Sequence, residues 1–220
     1  MERRHLRLAG MLLVLGTLWT ITVINLAGML TPGYSVSAET ISGLGSTFFA
    51  TYACVLARCN TIYQPASSIL VFSFLADGVL LLLSARYMLR ASGKKHVSHM
   101  ISLLGLATFV LGCSYIPLYI GSSAINFDAA LLLHSVSALS LVCVGAPLAL
   151  KADAFARHPL LIQMSRIVGA IIVVAVPLYT YMFFIDALWG PGFGGVERIG
   201  FYTIFAWFLG YGVYLVVADN

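Results

Sequence analysis

Apolar residues in this chain neither alternate nor recur every third or fourth position. They run on in six blocks, at about residues 8–30, 66–89, 97–120, 124–150, 167–185 and 199–217. Each block is close to the roughly 20 residues an α-helix needs to cross a hydrocarbon core about 30 Å thick. In lipid a spanning segment must satisfy its backbone internally, and uninterrupted runs of this length do so as helices rather than strands. The pattern therefore predicts an all-α, six-helix transmembrane bundle: one integral membrane domain over residues 1–220, with short connections and one longer outer loop, 31–65.

The first run follows the basic cluster Arg3, Arg4 and Arg7 and so resembles a secretory signal. Its apolar core is longer than the roughly 7–15 residues of such a segment, and it reads as a retained helix. The second opens after Gln64-Pro65 and closes at Arg86 and Arg90. Basic residues beside spans are held on the cytoplasmic side. A cytoplasmic N-terminus puts Arg3, Arg4, Arg7, Arg86, Arg90, Lys94, Lys95, Lys151, Arg157 and Arg166 inside, ten of the twelve, and leaves Arg58 and Arg198 outside. Both termini are thus expected in the cytoplasm. Within the outer loop the apolar run 47–57, with Phe48, Phe49 and Tyr52, suits a short helix at the outer interface, or packing over the mouth of the bundle.

Composition agrees with lipid as the solvent. The chain is 60% hydrophobic and 9% charged, where a soluble domain carries about 25% charge. The net charge of +4 follows the topology of the loops and is no sign of a nucleic-acid partner.

Ionisable groups in the hydrocarbon are costly, so they are where function is sought. Asp77 stands eleven residues past Ala66, about 16 Å along the second span, and His134 ten residues past Ala124, about 15 Å from the same side. If their helices are neighbours, the two form a buried polar clasp, helped by Ser73, Ser135 and Ser137, or a proton-handling or ligand-polarising pair. Haem is not expected, because His99 lies too near the cytoplasmic end of its span to serve as a second axial ligand.

The outer polar set is Glu39, Asp128, Asp186, Glu197 and Arg198. Glu197, after Gly194-Gly195, suits the first turn of the sixth helix as a cap. Arg198 lies on the side basic residues avoid, and its expected partner is a carboxylate (Glu39, Asp128 or Asp186) or the phosphate of a lipid or other anion. With Glu197 and Glu39 it makes the candidate outer anion or lipid contact. No metal-ligand spacing is present among these residues. Cys113 and Cys143 lie within spans as small apolar fillers, whereas Cys54 and Cys59, together in the outer loop, are candidates for a disulfide. Nucleophilic, zinc-protease and phosphate-loop patterns are missing, so no catalytic residue, metal or cofactor is assigned.

Thr31-Pro32-Gly33-Tyr34-Ser35, Ile41-Ser42-Gly43-Leu44-Gly45, His134 and Gly195-Val196-Glu197-Arg198 together resemble the membrane family catalogued as domain of unknown function 998, over essentially the whole chain. The resemblance implies a six-helix bundle of archaeal or bacterial cell membranes and no established reaction. Cys54 and Cys59 are not part of its pattern. Three functions compete. The first is an accessory or structural subunit of a larger membrane complex, non-catalytic and partnered by the bilayer and other membrane subunits. The second is a lipid-interacting or transport-like protein using Asp77, His134 and Arg198. The third is an intramembrane enzyme.

Overall fold

A computed structural model describes residues 2–37, 39–41, 44, 67–92, 95–120, 133, 136–137, 139–140, 143–148, 150–152, 158–185 and 192–217. Among these there is no strand. Five helices are long and apolar enough to cross a membrane: α1 (Glu2–Leu30), α2 (Ser67–Ser92), α3 (Lys95–Ile120), α4 (Pro159–Ile185) and α5 (Gly192–Val217). In the expected fourth span, every described residue from 133 to 150 is helical.

The helices outrun the apolar blocks that forecast them. The fifth begins at Pro159 rather than near 167, and the last at Gly192 rather than near 199. Hydropathy senses the part of a helix that lipid wets, whereas the backbone ladder continues through polar turns that can be capped. In α4 the amide of Ile162 bonds the carbonyl of His158 at 3.1 Å, so Pro159 occupies a first-turn position where its missing N–H costs nothing.

Neighbouring helices pack antiparallel, with the last helix beside the first. The described helices run α3, α2, α1, α5, α4 across the bundle. Ser84 Oγ donates to the Ala9 carbonyl at 2.9 Å while Asp77 faces Gly16, so α2 descends as α1 rises. Ser98 Oγ donates to the Ala85 carbonyl at 2.7 Å, joining α3 to α2. Trp207 Nε1 donates to Ser165 Oγ at 2.8 Å, joining α5 to α4. Such bonds between membrane helices average only about 0.6 kcal/mol, so close packing has to supply most of the cohesion. Glycine makes that packing possible. A Cβ at Gly10 would lie 2.5 Å from the Gly212 carbonyl oxygen, and one at Gly78 would lie 2.8 Å from that of Gly105. Backbones therefore touch where α1 crosses α5 and where α2 crosses α3, which multiplies dispersion contacts.

The interior is aromatic and aliphatic: Trp207 stacks on Tyr211 with ring centroids 5.0 Å apart, and Phe74, Leu13 and Ile24 are fully enclosed. Leu15, Phe72, Leu106, Val174 and Val213 point outward from the same helices. Apolar residues on both faces are what a helix shows when its solvent is lipid.

Candidate functional site

Two polar places interrupt this apolar bundle. The first lies where the chain leaves α1 and meets the start of α5. Thr31 Oγ1 donates back to Ala27 at 2.8 Å, Gly33 takes a φ of 76°, and the Tyr34 ring turns back to lie over Gly28. Glu39 then closes a small ring: its amide donates to the Ser35 carbonyl at 2.8 Å, and its carboxylate accepts the Ser35 amide at 2.6 Å. The loop carbonyls that remain face α5.

Helix α5 opens on Gly192-Phe193-Gly194-Gly195, which holds no side chain able to cap the first amides. The Ser37 carbonyl accepts them instead, from Gly194 at 3.1 Å and Gly195 at 3.3 Å. Glycine is required there. Gly192 has a φ of 74°, and side-chain carbons at Gly192 and Gly194 would collide with the carbonyls of Ser37 and Glu39.

Arg198, only 7% exposed, completes the clasp. Its Nη1 donates to the carbonyls of Val36 at 2.7 Å, Glu39 at 2.8 Å and Gly194 at 3.0 Å, and its Nη2 donates to the Tyr34 hydroxyl. The guanidinium also sits 5.3 Å from the Tyr34 ring centroid. The Tyr34 hydroxyl in turn donates toward Thr40 at 2.9 Å and Glu39 at 3.2 Å. Burial pushes that phenol above its ordinary value, outweighing the lowering by the adjacent Arg198. Arg198 thus reaches Glu39 through its backbone oxygen rather than its carboxylate, and the guanidinium is directed into the protein rather than offered outward.

The capping role expected of Glu197 within its own helix is corrected by the same geometry. Because α5 starts five residues earlier, Glu197 lies in its second turn, and its carboxylate accepts the amide of Ile41, where the loop turns helical. Glu39, Glu197 and Arg198 are brought together, but as a structural clasp between distant parts of the chain.

The second place is Asp77. It is 1% exposed, and neither carboxylate oxygen has a hydrogen-bond partner among the described residues. The carboxylate points at Gly16, where any side chain on α1 would collide with Oδ1. Thr20, one turn along α1, lies beside the carboxylate without reaching hydrogen-bond geometry. The buried hydroxyls of Thr17, Thr20 and Ser73 are likewise unpartnered. Thr17 and Thr20 were not singled out from sequence, although their spacing next to Gly16 in an apolar helix marks a polar stripe.

A cavity of about 80 Å³ opens between α3, α4 and α5. Thr108, Ser137, Tyr179 and Glu197 contribute its polar wall, and Leu104, Leu111, Phe201 and Phe205 much of the rest. Phe74 packs on Phe201 at 6.4 Å, which separates α2 from this cavity. Ser137 donates to the Leu133 carbonyl at 2.9 Å. His134, Ser135, Cys54, Cys59, Asp128, Asp186 and the run 47–57 lie outside the described residues. Cys113 and Cys143 are free thiols, and the described residues hold no cluster of three or more His, Cys, Asp or Glu side chains.

Comparison with protein-family models, with curated proteins and with solved structures finds no match to this chain.

Proposed function

We propose that this chain is a non-catalytic, multi-pass protein of a prokaryotic cell membrane with a transport-like role, in which Asp77 takes up and releases a proton or small cation. The observation that carries the reading is the Asp77 carboxylate, 1% exposed and without a partner on the described helices. A carboxylate isolated in hydrocarbon is expensive and is relieved only by a proton or a cation. An accessory subunit that merely covers a neighbour has no use for that cost, so we place the transport-like role ahead of the accessory one. Arg198 leaves the list of ligand contacts, because it is buried and both of its terminal nitrogens bond within the clasp.

Six crossings with both termini cytoplasmic form part of the proposal. Helices α1, α3 and α4 run one way and α2 and α5 the other. The chain between α3 and α4 must then recross an odd number of times, and the helical residues from 133 to 150 fit that return. The basic residues supply the side.

The test is flux in proteoliposomes. Vesicles carrying the protein should pass protons or alkali cations faster than empty ones under an imposed gradient, and Asp77→Asn should lower that flux by about tenfold or more. Flux equal to that of empty vesicles, together with co-purification of fixed partner subunits from native membranes, would return the accessory reading to first place.

A further inference from the structure

Elsewhere in this bundle the serine and threonine hydroxyls with a recorded bond are satisfied either across helices, as at Ser84 and Ser98, or locally. Thr22, Thr31, Thr108, Ser137 and Ser140 each donate to the carbonyl four residues back, and Ser114 to the one three back. That bond is available to any serine or threonine in a helix. Thr17, Thr20 and Ser73 do not make it, although all three are buried to 1% exposure or less. Ser73 stands one turn from Asp77 on the same face of α2, and Thr20 stands one turn from Gly16 on the face of α1 that Asp77 meets. Of the buried hydroxyls without a partner, Thr20 and Ser73 thus share the faces that meet at the carboxylate, Thr17 adjoins Gly16, and Tyr211 belongs to α5.

We propose that Asp77, Thr17, Thr20 and Ser73 form a sodium-ion site between α1 and α2, the carboxylate and hydroxyl oxygens being the ligands. This rests on the transport-like role and names its ion. The ligand set is hard oxygen throughout, which suits alkali and alkaline-earth ions and not the softer transition metals. One carboxylate neutralises one positive charge, so the ion is monovalent; calcium and magnesium sites draw on more anionic oxygen. A proton alone would need one acceptor and leave three hydroxyls without purpose. Gly16 lets the Asp77 carboxylate lie directly against α1, a confined position that favours an ion smaller than potassium.

No competing charge stands at this depth among the described residues. The facing turn of α1 carries Gly16, Thr17 and Thr20, the part of α3 that packs on α2 carries Gly105 and Phe109, and the titratable side chains α5 brings to the core are Tyr202, Tyr211 and Tyr214, with Glu197 and Arg198 held in the clasp at its start. Ionisable groups on α1 and α2 otherwise sit toward the helix ends, at Arg7 and Arg86.

Dicyclohexylcarbodiimide, an apolar reagent, couples only to a protonated carboxyl, so an ion that displaces the proton protects it. The full chain in lipid nanodiscs is labelled at constant ionic strength over a series of pH values, choline chloride being exchanged for sodium or potassium chloride at each, and the peptide carrying Asp77 is weighed. Sodium should cut labelling at least about fivefold while potassium has little effect, and Thr20→Val should raise the half-protecting sodium concentration about tenfold or more, the usual worth of a ligand-shell group. Ser73→Ala is the second variant, read the same way. Labelling that follows pH but is equal in sodium and choline overturns the sodium site and leaves a proton role for Asp77. Labelling that responds to neither pH nor sodium overturns both. A sodium midpoint unmoved in both hydroxyl variants removes the hydroxyls from the site and overturns the assignment.

Discussion

The Arg198 guanidinium ties the loop after α1 to the start of α5, and it does so chiefly by binding main-chain oxygen. Arg198 gathers the carbonyls of Val36, Glu39 and Gly194 and the hydroxyl of Tyr34, so loop and helix are fixed by one fork of donors. Lysine keeps the charge but presents a point donor, not a planar fork. Arg198→Lys should therefore cost about 1–3 kcal/mol, seen as a lower unfolding temperature in detergent, with any Asp77-dependent flux changing less than stability does. Tyr34 adds a pH dependence whose sign follows from burial. Its folded-state value is raised, so its contribution is complete below about pH 10, the ordinary phenol value, and declines as pH rises above it. Thermal unfolding between pH 8 and pH 11 (values set by the ordinary phenol range) should show the wild-type protein losing stability at the alkaline end and Tyr34→Phe, weaker throughout, losing less of it.

Helices in this bundle meet through absent side chains. Where α2 crosses α3, the Gly78 Cβ position lies 2.7 Å from the Phe109 amide nitrogen and 2.8 Å from the Gly105 carbonyl, all backbone that cannot rotate aside. Gly78→Val should force the pair apart, lengthen the Ser98–Ala85 bond of 2.7 Å two turns away, and lower the yield of folded protein in mild detergent. A β-branched substitution on the outward face, Leu83→Val, serves as the control, because Leu83 is 40% exposed. Equal behaviour of the two variants would show that the glycine contact is dispensable.

At the scale of the molecule, first and last helices are neighbours, and that adjacency lets a loop just after α1 cap and clamp the start of α5. With Gly10 against Gly212 at the opposite end of the pair, the start of α1 and the end of α5 lie side by side. The proposed topology puts that end in the cytoplasm. A reporter fused after Asn220 should then be active when it is a protein that folds in the cytoplasm and inactive when it is alkaline phosphatase, which requires an oxidising outer compartment. The reverse pattern would invert the bundle and place Arg198 inside.

The amino-acid sequence alone determined the all-helical class and five helices long and apolar enough to cross a membrane, because lipid leaves a backbone few choices and an apolar run of sufficient length announces itself. It also located Asp77 near mid-span, since depth along a helix is arithmetic at 1.5 Å per residue. Only the tertiary structure decided what those groups face. Arg198 binds carbonyls, which every residue carries, so no spacing in the sequence could point to Val36 or Glu39. Glu197 serves the amide of Ile41 because the helix begins earlier than its apolar part. Asp77 looks onto Gly16 and Thr20 because α1 docks there by its glycine, a choice made by close packing between helices that are otherwise equally apolar.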